Sequence, residues 1–184
     1  IMASVLVPLA EGCEELEAVT VIDLLRRAGI EVIVAGLEEG PVKASRGTVL
    51  VPDTRLDQVE SENLDMIVLP GGLPGADHLA KNPVLATILK SMNQRGAYIA
   101  AICAAPKVLA RYGYLNNRSA TAYPGVLTPE EYPDILISEQ ALVVDGNIIT
   151  SKGPGTAMVF ALKLIEILCG QDMEKSIKSQ LMSA

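Results

Sequence analysis

The sequence contains no tryptophan, a single phenylalanine and a single histidine among its 184 residues. With His78 as the only imidazole, most zinc sites and any multi-histidine catalytic arrangement are excluded. Cysteines number three, an odd count that makes no disulfide framework and points to a reducing compartment, the cytoplasm. Basic residues are outnumbered 15 to 22, which leaves a net charge of -7 and no basic stripe. Nucleic acid and anionic membrane surfaces are therefore not expected partners. Although 49% of the residues are hydrophobic, no apolar run approaches the length of a membrane span. No motif for a metal or an organic cofactor is present, and none is expected to be bound.

What the chain does contain is an alternation of β-type and helical segments. Its length suits one domain with a full core, spanning 2–184. Ala3–Leu9 is a short apolar strand broken by Glu11-Gly12. Helical spacing then runs from Glu14 to Ala28, with Gly29 as a C-cap. Glu31–Ala35 reads as a second strand, and Arg46-Gly47 as the turn of a hairpin between Val42–Ser45 and Thr48–Pro52. Asp65–Leu69 is a buried strand followed by the loop Pro70–Gly75. A helix over Pro83–Gln94 leads to the strand before Cys103, with a further helix to Tyr112. The stretch Leu115–Asp134 is loop-rich. Asp145-Gly146-Asn147 joins two hairpin strands, Gly153–Thr156 opens a helix to Cys169, and a last helix covers Met173–Leu181. Such alternation gives parallel βαβ units: an open twisted sheet covered on both faces, with ligands at the carboxyl ends of its strands.

Chemistry concentrates at Tyr98–Pro106, where an apolar strand ends at Cys103 and a helix begins at once. A cysteine on that corner sits beside the free N–H groups of a helix start, which favour thiolate. Small neighbours, Ala101 and Ala105, give the corner room, and Pro106 suits a first helical turn. The alternative is a small buried hydrophobe at a strand end. Glu17 lies in line with Val21, Leu24 and Ala28, an apolar stripe, so burial should raise its pKa. A protonated Glu17 beside Cys103 could donate to the sulfur and lower the thiol pKa. The alternative is a first-turn acid complementing the helix dipole, as Glu14 and Glu15 do.

The Pro70–Gly75 loop could aim N–H groups at an oxyanion, but it is neither a P-loop nor a dinucleotide fingerprint. His78 reads as a solvated surface residue, Cys169 as a packed and inert thiol, and Cys13 as a buried residue near the site edge. Arg46 and Arg27 read as a turn residue and a helix-end cation.

Several segments occur together in order: Glu11-Gly12-Cys13-Glu14-Glu15-Leu16-Glu17, Arg26–Ile30, Leu69-Pro70-Gly71-Gly72, Ala100–Pro106 and Gly153-Pro154-Gly155-Thr156. In these the chain resembles the ThiJ/PfpI superfamily, in its DJ-one branch, over essentially its whole length. The resemblance implies a flavodoxin-like α/β three-layer sandwich with a mostly parallel sheet. It also implies a homodimer that uses the first helix and the small hairpin. By position, Cys103 matches the family's reactive cysteine and Glu17 its protonated glutamate partner. Gly71, Gly72 and Ala104 match the loop and backbone donors beside the sulfur. Tyr123 and Pro154 fall in the pocket, and Arg46 and Arg27 at the dimer contact near it.

The chain also departs from its resemblance. Many relatives place a pocket histidine where Tyr123 stands, and PfpI-type peptidases have histidine where Ala104 stands. No histidine follows Cys103, as a glutamine amidotransferase would need, and Val51 replaces an interface cysteine of some relatives. The implied activity is cysteine-dependent handling of small reactive aldehydes or glycated groups, in the manner of a glyoxalase or deglycase. The alternative is an oxidative-stress sensor or redox-regulated chaperone acting through oxidation of Cys103.

Overall fold

The computed structural model describes residues 2–182, so the last two residues of the expected domain lie outside the described residues. Strand β1 (Ser4–Leu9) opens the sheet, and α1 (Glu15–Arg27) crosses to β2 (Glu31–Gly36). The small strands β3 (Val42–Lys43) and β4 (Val49–Leu50) follow, then β5 (Thr54–Arg55) and β6 (Met66–Leu69). Helices α2 (Gly75–Lys81) and α3 (Pro83–Arg95) lead into β7 (Tyr98–Ile102) and α4 (Pro106–Arg111). After β8 (Ser119–Ala120) and β9 (Leu136–Ile137), the hairpin β10 (Leu142–Asp145) and β11 (Ile148–Ser151) precedes α5 (Ala157–Cys169) and α6 (Gln171–Gln180).

Seven strands form one sheet in the order β10-β11-β7-β6-β1-β2-β5, parallel throughout except for the β10 edge. Its five longer parallel strands run second, first, third, fourth, fifth in chain order, which is the flavodoxin-like arrangement. The order reverses between β1 and β6, the point where sheets of this kind hold ligands at the carboxyl ends of their strands. Strand alternation divides the core in two. Val5, Val7, Leu9, Val68 and Ile102 face α1 and α5, whereas Leu6, Ile67, Leu69, Ile99 and Ala101 face α3 and α4. Both faces being covered explains why these strands read as continuous apolar runs.

Several details differ from the sequence reading. The hairpin around Arg46-Gly47 pairs only Val42 with Leu50 and Lys43 with Val49, leaving a five-residue loop over 44–48. That loop is held from outside, because Glu15 accepts hydrogen bonds from the Arg46 N–H at 3.0 Å and from the Ser45 hydroxyl at 3.1 Å. The loop-rich stretch contains β8, which pairs in parallel with β9. Gly153–Thr156 does not start α5 directly; Pro154–Thr156 forms a 3-10 turn first. The last helix begins two residues earlier than its periodicity suggested. Cys169 is exposed rather than packed, since it stands at the C-terminal end of α5. Among the described residues, no helix is long and apolar enough to cross a membrane.

Candidate functional site

The candidate site is built on two chain corners and one helix. At the end of β7 the chain turns so sharply that Cys103 takes φ 65, the left-handed region that side chains rarely occupy. The corner is held on both sides: the Cys103 N–H donates to the Ser151 carbonyl at 3.0 Å, and the Cys103 carbonyl accepts from the Tyr123 N–H at 2.9 Å. Only 8% of Cys103 is exposed. The N–H groups of Gly72 and Ala104 are directed at its sulfur.

The second corner is the glycine loop after β6. It packs backbone to backbone on the Glu11–Glu14 turn: Glu14 N–H donates to the Gly71 carbonyl at 2.9 Å, and Gly75 N–H to the Gly12 carbonyl at 3.3 Å. Gly72 needs its hydrogen for two reasons: φ is +87, and a β-carbon would fall 2.4 Å from Glu14 N. At Gly71 a β-carbon would lie 2.6 Å from Cys103 Cβ and 2.7 Å from Glu17 Oε2. The loop therefore brings its backbone against both side chains at once.

The third element is α1, which presents Glu17 on its buried stripe with Val21, Leu24 and Ala28. Glu17 is completely buried, Oε2 accepts the Gly71 N–H at 2.8 Å, and Oε1 has no hydrogen-bond partner. Burial pushes its carboxyl up to about 7, helped by the nearby charge of Glu14 and opposed by the Gly71 N–H and the Cys103 side chain. The Cys103 thiol is pushed up to about 12, by burial first and then by the charge and hydrogen bonding of Glu17. The N–H groups of Gly72 and Ala104 act in the other direction and are outweighed. The expected depression of the thiol pKa is thus reversed, by burial first and by Glu17 second. A carboxylate poised near neutrality beside a reluctant thiol is instead suited to accept its proton.

All three elements lie within the part of the chain that matches a known family. A sequence model of the DJ-1/PfpI family matches residues 3–167. The chain belongs to the DJ-1/PfpI family. Drosophila melanogaster protein dj-1beta is 44% identical over 182 residues, covering 98% of this chain and 97% of that protein. Its crystal structure superposes with a TM-score of 0.95 and full coverage of both chains. The glutathione-independent glyoxalase DJR-1.2 of Caenorhabditis elegans is 38% identical over 181 residues, covering 97% of this chain and 95% of that protein. The structure titled Toxoplasma gondii DJ-1, oxidized, matches at a TM-score of 0.92 and 42% identity, with 99% of each chain covered.

Around this DJ-1/PfpI centre the other candidate residues are distributed unevenly. Gly71, Gly72 and Ala104 adjoin Cys103 directly. Tyr123 is 53% exposed and its ring lies against Gly153, where a β-carbon would be 3.3 Å from Cδ2. Pro154 starts the turn that leaves β11 beside the Cys103 corner. Arg27 is exposed and paired with Asp23 at 2.9 Å, and Arg46 is exposed on the hairpin loop. Within one chain these two arginines do not join the Cys103 cluster. His78 is exposed, its Nδ1 3.0 Å from the Glu11 carbonyl. Cys13 is buried, with its thiol pushed up to about 11 by burial and by Glu15. Among the described residues, no three His, Cys, Asp or Glu side chains are grouped to hold a metal ion. Sequence reasoning missed Ser151, whose carbonyl anchors the cysteine; a serine inside an apolar strand gave no signal of that role.

Proposed function

We propose that this DJ-1/PfpI protein is a cysteine-dependent, cofactor-independent glyoxalase that converts methylglyoxal to lactate. The observation that supports it most is the buried Glu17 carboxyl, with one oxygen held by the Gly71 N–H and the carboxyl as a whole interacting with the Cys103 side chain. A family relative carries the name of a glutathione-independent glyoxalase.

In this reading Glu17 takes the thiol proton as the Cys103 sulfur bonds to the aldehyde carbon, and the developing oxyanion is steadied by the Gly72 and Ala104 N–H groups. That proton then passes to the oxyanion, which completes the hemithioacetal and frees the Glu17 carboxylate. The Glu17 carboxylate then removes the hydrogen from that carbon and returns a proton to the neighbouring one, while the hydroxyl proton of the first carbon moves to the oxygen of the second. The first carbon is oxidised to a thioester while the second is reduced to an alcohol, so no external redox partner is needed. Water cleaves the thioester, releasing lactate and restoring the thiol. Glycated groups in the hemithioacetal or aminocarbinol state would use the same parts. A homodimer would bury Leu16, Val19, Val49 and Val51, now exposed on α1 and the hairpin, and would bring Arg27 of one subunit toward the other's site. The cytoplasm is the compartment we assign. Lactate release from methylglyoxal by the wild type, and its loss in Cys103→Ser, is the test.

A second reading rests on the N–H donors at the sulfur. Gly72, Ala104 and a protonated Glu17 could hold the oxygens of a sulfinate, so peroxide would convert Cys103 into a stable signal. Glu17→Asp should spare part of that oxidation while crippling turnover.

A further inference from the structure

Beyond these three elements, a pair of hydroxyls, those of Ser151 and Thr156, ties together the chain that leaves the strand beside the cysteine. The Gly153 N–H donates to Thr156 Oγ1 at 3.1 Å, and Thr156 Oγ1 lies 2.6 Å from Ser151 Oγ. The Ser151 hydroxyl donates to the Ala141 carbonyl at 2.9 Å. Thr156 Oγ1 also lies 2.9 Å from the Gly153 carbonyl, so its one proton has two acceptors in reach, that carbonyl and Ser151 Oγ. The two hydroxyls thus link the Ala141 carbonyl to both the N–H and the carbonyl of Gly153. Ser151 is fully buried, and its backbone carbonyl receives the Cys103 N–H. One residue thus holds the cysteine corner with its main chain and the Gly153-Pro154 turn with its side chain.

The consequence lies next to the Cys103 corner. Gly153 carries the ring of Tyr123 on its face, and Tyr123 is itself tied to the Cys103 carbonyl. Gly153 is in extended backbone (φ 176), held by the two hydroxyls together with the Thr156 N–H, which donates to the Gly153 carbonyl at 2.9 Å. We infer that Ser151 and Thr156 are positioning residues. Their hydroxyl clasp holds the Gly153-Pro154 wall against Tyr123 and so limits the size of molecule that reaches Cys103. A half-buried clasp of this kind fixes geometry more than it adds stability, because each hydroxyl bond exchanges for one to water on opening.

The inference rests on Cys103 being a reactive thiol, and its test does not require turnover. In a Cys169→Ser background, alkylation of Cys103 by iodoacetamide and by the bulkier N-phenylmaleimide is followed by peptide mass spectrometry. Thr156→Val keeps the side-chain shape and removes the clasp, whereas Thr156→Ser keeps the hydroxyl. The wild type and Thr156→Ser should share one small-to-bulky rate ratio, and Thr156→Val and Ser151→Ala should lower it by a factor of ~3 or more, within the range that misplacement of a site wall produces. An unchanged ratio in folded Thr156→Val would overturn the inference. Absence of lactate from methylglyoxal would remove the glyoxalase reading and leave this ratio, and the clasp, standing on its own result.

Discussion

The backbone N–H of Gly71 donates to Oε2 of Glu17 at 2.8 Å, and a β-carbon added to Gly71 would stand 2.7 Å from that same oxygen. One glycine therefore both orients the carboxyl and leaves it the space it occupies. The same missing β-carbon would be 2.6 Å from Cys103 Cβ, so the glycine sets the approach of acid to thiol.

Gly71→Ala should consequently lose stability and reactivity together. Three atoms crowd the new methyl from below 3.0 Å, two of them on Cys103 and Glu17 and one the Ile102 carbonyl. Overpacking at such a site costs about 1–3 kcal/mol. A lowered denaturation midpoint with slowed Cys103 alkylation is expected; an unperturbed variant would show that the loop yields freely.

Glu17 makes stability depend on pH with a definite sign. Its folded pKa is raised from 4.5 to about 7, so the folded state binds more protons across that window. Stability is then greatest below pH 4.5 as far as this group is concerned, falls as pH rises toward 7, and levels off above it. The shift corresponds to a loss on the order of 3 kcal/mol. Glu17→Gln removes the titration, so its stability relative to wild type should climb between pH 5 and 7. Parallel curves for the two proteins would mean that Glu17 is not buried as described.

The reactivity of Cys103 should carry the same titration. Alkylation of the wild type is expected to rise through a step near pH 7, as Glu17 becomes able to accept the thiol proton. In Glu17→Gln that step should vanish. The exposed Cys169 provides an internal control that lacks it. A step near pH 7 that survives in Glu17→Gln would assign it to another group.

At the hairpin, Glu15 gathers the Arg46 and Thr48 N–H groups and the Ser45 hydroxyl on one carboxylate. Burial opposes its charge, but these bonds outweigh it and hold the pKa below 4.5. A depressed carboxylate stabilises the fold above its ordinary pKa and loses that contribution as pH falls through the folded value. Glu15→Ala should cost about 1 kcal/mol or less at neutral pH, discounted for its partial exposure, and converge with wild type in acid. Urea titrations at pH 7 and pH 4 would measure it.

Much of this was legible in the residues. Runs such as Val5–Leu9 and Met66–Leu69 are apolar on both faces because helices cover both, so parallel strands followed from composition and punctuation. Glu17 stood out because Val21, Leu24 and Ala28 continue its stripe, and the stripe is buried. Cys103 stood out as a strand-to-helix corner, and φ 65 shows how tight that corner is. Other features left no local trace. Strands β5, β8 and β9 are two residues long and exist only through their partners. Cys169 follows an apolar run yet ends its helix facing outward. The raised thiol pKa depends first on burial and then on a carboxylate 86 positions away in sequence, and the Ser151–Thr156 clasp on hydroxyls whose neighbours only the fold supplies.

The account stands most directly on lactate formation from methylglyoxal in amine-free and thiol-free buffer, with wild type, Cys103→Ser and Glu17→Gln compared after each is shown to be folded. Glu17→Gln keeps an oxygen for the Gly71 N–H and removes only the proton carrier. The wild type should release lactate, Cys103→Ser none, and Glu17→Gln should be slower by a factor on the order of 10²–10⁴. Lactate formation that persists at the wild-type rate in Glu17→Gln, or that never appears with fully reduced wild type, would contradict it.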